Sequence, residues 1–154
     1  MGVIGFLILV LADQWTKKMA VLRLKDQDPI VLYYLENRGA AFGIFQGKRV
    51  IFLIITIIIL LFLAYCFWRI PYTRKYATLR GVLVLIAAGA VGNFIDRMYN
   101  GYVVDFFYFK VINFPIFNVA DIYVTCSAIF LAVLLIFCYK EEDLNQLLKS
   151  LKGK

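Results

Sequence analysis

The sequence predicts an α-helical membrane protein with four transmembrane helices and a small extended, β-type outer cradle between the first two. Hydrophobic residues make up 63% of the 154 residues and charged residues only 18%, far from the usual composition of soluble domains. A bilayer core of ~30 Å requires roughly 17–25 helical residues per span. The four longest segments without any charged residue are 1–12, 50–68, 81–95 and 122–139.

The predicted spans are about 2–22, 50–68, 79–96 and 118–139, within a single membrane domain that covers 1–154. The first and third reach spanning length only by including polar residues, which must therefore lie near helix ends or face the protein interior. The N-terminal segment lacks the basic n-region and the A-x-A site of a signal peptide, so we expect it to be retained as the first helix.

The connections between the spans predict the remaining organisation. The first, about 24–49, contains strand-forming PIVLYYL and small-residue GAAFG stretches, which favour an extended cradle, although a simple surface loop fits equally well. The connection 69–80 has four cations and no acid, which places it and both termini in the cytoplasm. In the cytoplasmic tail 140–154, leucines at helical spacing predict a short surface helix.

The composition also excludes several kinds of chemistry. Histidine is absent, which excludes Ser-His-Asp and Cys-His nucleophilic arrangements and the H-E-x-x-H zinc site. The net charge of +7 comes largely from cations in short connections, so a nucleic-acid partner is not expected. Carboxylates remain as the candidates for catalysis.

Four of the ten acids lie in apolar surroundings. An ionised acid at mid-membrane costs ~2.5–3.5 kcal/mol, so each of the four requires a partner or must be protonated. Lys17 follows Asp13 by four residues and Arg97 directly follows Asp96. We expect these two pairs to form charge-balanced helix ends.

The other two acids, Asp105 and Asp121, have no cation close to them in the sequence. We expect them to meet at the outer membrane interface, share a proton and act as acid and base on a peptide bond. Spacing alone leaves open a cation site or a proton relay, as in a small transporter or channel subunit.

Five short motifs add a resemblance that covers roughly residues 8–130. DQWTK, NRGAAFG, GNFIDR, VVDF and FNVAD occur in this order, and together they resemble the family of lipoprotein signal peptidases (signal peptidase II), aspartyl peptidases of the bacterial inner membrane. The resemblance implies a four-helix enzyme with cytoplasmic termini, an outer cradle and an active site near the outer leaflet. It also implies the substrate, a prolipoprotein whose lipobox cysteine carries diacylglycerol and which is cut on the amino side of that cysteine.

The resemblance further implies the residues of the site. The catalytic pair falls on Asp105 and Asp121. No cofactor, metal or obligate protein partner is expected, and the expected partners are the prolipoprotein substrate and membrane lipid. The supporting and substrate-binding residues are then Asn93, Asp96, Arg97 and Asn118 in a polar shell, Asn37, Gly39, Ala40 and Phe42 in the cradle, and Asp13 and Lys17 in the first helix.

Overall fold

The computed structural model describes residues 2–25, 32–39 and 47–153. Within these residues the chain is mostly helical and contains one small sheet. The helices are α1 (Val3–Leu24), α2 (Arg49–Arg69), α3 (Ala77–Tyr99), α4 (Val119–Val133) and α5 (Glu141–Lys152), and the strands are β1 (Leu32–Asn37) and β2 (Val103–Phe107). A π-helical segment, Leu134–Cys138, continues α4.

Three helical segments of the described residues are long and apolar enough to cross a membrane: Arg49–Arg69, Arg74–Tyr99 and Val119–Cys138. They contain the predicted spans 50–68 and 79–96 in full, and the predicted fourth span except for its two ends. The first predicted span is helical as α1, but its second half carries several charged residues and it is not among the three.

Helices α3 and α4 pack closely because small residues line α3 where the two helices meet. A methyl group added at Gly89 would lie only 2.5 Å from the carbonyl oxygen of Ala120, and one added at Gly92 would collide with the carboxylate of Asp13. Small residues of this kind allow membrane helices to approach backbone to backbone. The close packing at Gly89 and Gly92 also brings α4 and α1 next to the polar residues Asn93 and Asp96 of α3.

The sheet consists of β1 and β2 in antiparallel pairing, with Leu35 opposite Asp105 and Asn37 opposite Val103. Because side chains alternate between the two faces of a strand, Asn37 and Asp105 project on the same side. The extended element predicted after α1 is confirmed as β1. Strand β2 was not predicted, and the cradle residues Ala40 and Phe42 lie outside the described residues.

A second backbone contact fixes the other edge of β2 to the start of α4. The amide of Phe107 donates to the carbonyl of Phe117 at 2.8 Å, and the amide of Phe117 donates back to Phe107 at 3.1 Å. Strand β2 is therefore held between β1 and the segment that leads directly into α4.

Helix α5 confirms the helix predicted in the tail, but it is not simply a surface element. Leu147 is buried in an apolar cluster with residues of α2 and α3. The Tyr76 hydroxyl donates to Gln146 at 3.1 Å, and Arg69 Nε donates to the Ser150 carbonyl at 2.7 Å. The tail thus closes the end of the helical bundle opposite the sheet.

Candidate active site

Polar side chains from α1, α3, α4 and both strands converge in one buried network. Asp13, Lys17, Asp96, Asp105 and Asn118 are each at most 2% exposed. Within the described part of the chain, every buried side-chain nitrogen and oxygen has a hydrogen-bond partner. Buried polar groups are costly unless paired, so this complete pairing is what allows so many of them to sit together.

The ammonium group of Lys17, a residue of α1, lies at the centre of this network. It lies 2.9 Å from Asp13 Oδ2 and 3.1 Å from Asp96 Oδ2, and it donates to Asn93 Oδ1 at 2.9 Å. The predicted pair of Asp13 and Lys17 is therefore confirmed. Gln14 was not predicted as part of the site, although it donates to Asp13 and Asp96. Its only sequence signal is its place inside the DQWTK motif.

The prediction that Arg97 neutralises Asp96 is wrong. Neighbouring residues on a helix do not face each other, and Asp96 pairs with Lys17 of α1 instead. Arg97 Nη2 donates to the carbonyl of Gly39 at 3.2 Å, and its guanidinium lies over the ring of Phe52. Arg97 thus connects α3 to the end of β1 and to α2.

Asp105 lies on β2 and is 1% exposed. Its Oδ1 accepts from Asn118 Nδ2 at 2.6 Å, and its Oδ2 accepts from Asn37 Nδ2 at 2.8 Å. Burial raises the pKa of Asp105 to about 7, and the nearby charge of Asp121 adds to this, whereas the two amide donors act in the opposite direction. Near neutral pH this carboxyl group is therefore poised between its protonated and ionised forms.

Asp121 stands in the first turn of α4, where it forms a capping box with Asn118. The Asn118 side chain accepts from the Asp121 amide at 3.0 Å, and Asp121 Oδ2 accepts from the Asn118 amide at 3.1 Å. A carboxylate is favoured at a helix N-terminus, which accounts for an acid at the start of an apolar helix. Asp121 Oδ1 also accepts from Asn93 Nδ2 at 2.8 Å.

Asn118 links the two carboxylates, since its side chain contacts Asp105 and its backbone contacts Asp121. Asp105 is buried, while Asp121 is half-buried and so more accessible to water. One carboxyl group that can hold a proton beside another that can accept one is the arrangement needed for acid–base hydrolysis. Across the described residues, no cluster of three Cys, Asp or Glu side chains is placed to hold a metal ion.

The structure brings together all the predicted site residues that it describes. Asp105 and Asp121 share a network with Asn37, Asn93 and Asn118, and this network continues through Lys17 to Asp13 and Asp96. Gly39 and Arg97 contact each other beside it.

Comparisons with known proteins agree with this architecture. The family model described as Signal peptidase (SPase) II matches residues 5–137. The lipoprotein signal peptidase of Caldanaerobacter subterraneus subsp. tengcongensis is 40% identical over 145 residues, covering 89% of this chain and 97% of the relative. That of Streptococcus thermophilus is 38% identical over 147 residues, covering 91% of this chain and 93% of the relative.

Solved structures are similar as well. A bacterial membrane enzyme determined by the in meso method at 2.3 Å resolution has a TM-score of 0.74 and 34% identity, covering 88% of this chain and 89% of that one. A second, at 1.9 Å resolution, has a TM-score of 0.73 and 36% identity, covering 86% of this chain and 90% of that one.

The fold, the carboxylate site and these similarities define an integral membrane peptidase of the aspartic class. More narrowly, the chain belongs to the signal peptidase II family, as the five motifs predicted. The alternative of a transporter or channel subunit finds no support in these comparisons.

Proposed function

We propose that this protein removes the signal peptide from diacylglyceryl-modified prolipoproteins by hydrolysing the bond on the amino side of the lipidated cysteine. Membership in the signal peptidase II family supports this activity and its substrate class. The observation that carries the site is the joining of Asp105 and Asp121 through Asn118, with amide donors on both carboxylates.

In the proposed reaction, the Asp121 carboxylate takes a proton from a water molecule, and the oxygen of that water attacks the scissile carbonyl carbon. Asp105 donates its proton to the carbonyl oxygen, which gives a neutral gem-diol. Asp105 then takes a hydroxyl proton back, and Asp121 passes its own proton to the amide nitrogen as the C–N bond breaks. The products are a carboxyl group and an amine, and both aspartates regain their starting state.

The supporting residues would hold this pair in place. Asn37, Asn93 and Asn118 supply the donors that orient the two carboxylates. Arg97 and Gly39 connect the end of β1 to α3, next to where an extended substrate would enter. Asp13, Lys17 and Asp96 form the charged centre that fastens α1 to α3, and Ala40 and Phe42 are proposed to complete the cradle.

The membrane arrangement that fits this activity has four spans, with α1 as the first. The charges of Asp13 and Lys17 are buried and paired, while Val3, Ile4 and Leu11 expose an apolar face suited to lipid. The basic connection 69–80 then lies in the cytoplasm with both termini. The site at the opposite end of α3 lies near the outer leaflet of the bacterial cytoplasmic membrane.

The test is cleavage of a diacylglyceryl prolipoprotein by the purified enzyme in detergent. Asp105→Asn and Asp121→Asn should each lower turnover by about 10²–10⁴-fold, the usual contribution of a positioned acid or base. Glu142→Gln, an exposed acid of α5, is the matched control and should retain turnover. Near-normal activity of either aspartate variant would contradict the catalytic pair, and an inactive folded wild type would contradict the function itself.

A further inference from the structure

The ammonium of Lys17 uses all of its hydrogen-bonding capacity in the network. A lysine ammonium has three donors and no acceptor. The three partners of Lys17 are Asp13 Oδ2 at 2.9 Å, Asp96 Oδ2 at 3.1 Å and Asn93 Oδ1 at 2.9 Å. Since Lys17 is 2% exposed, water cannot substitute for any of them. Every group that faces this ammonium must therefore present an oxygen.

This requirement fixes the direction of the Asn93 side chain. An asparagine amide has nearly the same shape when its oxygen and nitrogen are exchanged, so only its neighbours select the orientation. Lys17 selects the oxygen, and the NH₂ group is then left facing Asp121 Oδ1 at 2.8 Å. The reversed amide would place an NH₂ against the ammonium and an oxygen against the carboxylate, which are two repulsive contacts.

The Asn118 side chain follows the same direction. Its oxygen accepts from the Asp121 amide, so its NH₂ group faces Asp105 Oδ1 at 2.6 Å and Asn93 Oδ1 at 3.1 Å. The oxygen of Asn93 thus accepts from Lys17 and Asn118 together. A reversed Asn93 would remove a donor from Asp121 and an acceptor from Asn118 at the same time.

We propose that Lys17 is a positioning residue for catalysis, because it locks the Asn93 amide with its NH₂ group on Asp121 and its oxygen on the Asn118 amide that donates to Asp105. This inference rests on the proposed function of the Asp105 and Asp121 pair. Lys17 bonds to neither of these carboxylates, and its hydrogen-bonded connection to them runs through Asn93 and Asn118; its charge also favours the ionised form of Asp105 at longer range. Its removal should consequently slow the chemical step and leave substrate binding nearly unchanged.

A double-mutant cycle of Lys17→Met and Asn93→Ala tests the proposal with the full-length enzyme and a diacylglyceryl prolipoprotein. In the wild-type background, Lys17→Met should lower kcat by about 10–100-fold, the effect of one charge-assisted hydrogen bond, with KM within about twofold. In the Asn93→Ala background the same substitution should lower kcat by less than about twofold, because residues that act as a unit are not additive.

Gln14→Leu is the matched control for damage to the buried cluster. Gln14 is on the same helix and donates to Asp13 and Asp96, but it makes no bond to Asn93. Its effect on kcat should be the same in both backgrounds. If Lys17→Met fails to fold, because it leaves the two acids Asp13 and Asp96 without a counter-charge, Asp13→Asn removes one of these acids. The cycle is then repeated with Asp13→Asn present in all four enzymes.

An equal loss of kcat from Lys17→Met in both backgrounds would overturn the proposal, and so would an unchanged kcat in the wild-type background. A loss that appears mainly in KM would also overturn it. The wild-type enzyme is assayed beside every cycle. Failure of the proposed function would therefore appear separately, as absence of cleavage by the folded wild-type enzyme.

Discussion

Replacing Asn37 by alanine removes one of the two side-chain amides that donate to Asp105. The bond from Asn37 Nδ2 to Asp105 Oδ2 is 2.8 Å long, and the other donor, Asn118, remains in place. These donors stabilise the ionised form and lower the pKa of Asp105, which burial and the charge of Asp121 raise to about 7. Loss of the Asn37 amide should therefore raise this pKa further.

The size of the shift follows from the strength of the lost bond. A hydrogen bond to a charged group contributes about 1.5–3 kcal/mol, and ~1.36 kcal/mol corresponds to one pKa unit. The expected shift is thus about 1–2 units, and the lower end is favoured because water can partly replace the half-buried Asn37. In the proposed reaction Asp105 must be protonated to donate, so the high-pH limb of kcat/KM should move upward by the same amount.

The assay is the initial rate of prolipoprotein cleavage between about pH 5 and pH 10, fitted for the two limbs of kcat/KM. Glu36→Gln is the matched control, since Glu36 is the adjacent residue of β1 and bonds to Tyr34 and Arg38 rather than to Asp105. In Glu36→Gln, the high-pH limb of kcat/KM should stay at the pH where it lies in the wild-type enzyme. A limb that stays fixed or moves downward in Asn37→Ala would refute the assignment of Asp105 as the acid.

Three further outcomes are expected. Gly89→Ala should destabilise the protein by about 1–3 kcal/mol, because its methyl would lie 2.5 Å from the Ala120 carbonyl oxygen. Thermal unfolding in detergent measures the loss, and Gly2→Ala, whose methyl has open space, is the control. Equal stabilities of the two variants would contradict the prediction. Leu147→Ala should cost about 2–5 kcal/mol and spare turnover of the folded enzyme, whereas the exposed Leu148→Ala should cost much less in the same unfolding assay. Cleavage should persist in excess EDTA, since carboxylates alone move the protons, and loss restored by a divalent metal would disprove this.

The helices were predictable because their signal is local. Uncharged runs of sufficient length specify α2 and α4 directly, the shorter uncharged run 81–95 specifies α3 once its polar ends are included, and PIVLYYL specifies β1 by its strand-forming residues. Strand β2 escaped prediction because Val103, Val104, Asp105 and Phe106 are all buried. A strand covered on both faces shows no alternation of polar and apolar residues.

Most residues of the polar network, though not Gln14, were named from the sequence motifs, whereas their pairing was not predictable. Asp96 and Arg97 are adjacent in sequence, yet helix geometry directs them apart, and Lys17 reaches Asp96 from another helix. The contact of Lys17 with Asn93 joins residues 76 positions apart. Such pairings depend on how α1 packs against α3, which no local pattern encodes.

The backbone bridge between Phe107 and Phe117 has a consequence for how the segment 108–116 can be altered. The bridge brings the two ends of this segment together at hydrogen-bond distance, so its interior is a closed loop whose length does not set the distance from Asp105 to Asp121. Val111 at its tip is fully exposed. Exposed loop tips with clamped ends tolerate insertions well, so we expect a reporter or purification tag inserted at this tip to leave the proposed catalytic pair assembled.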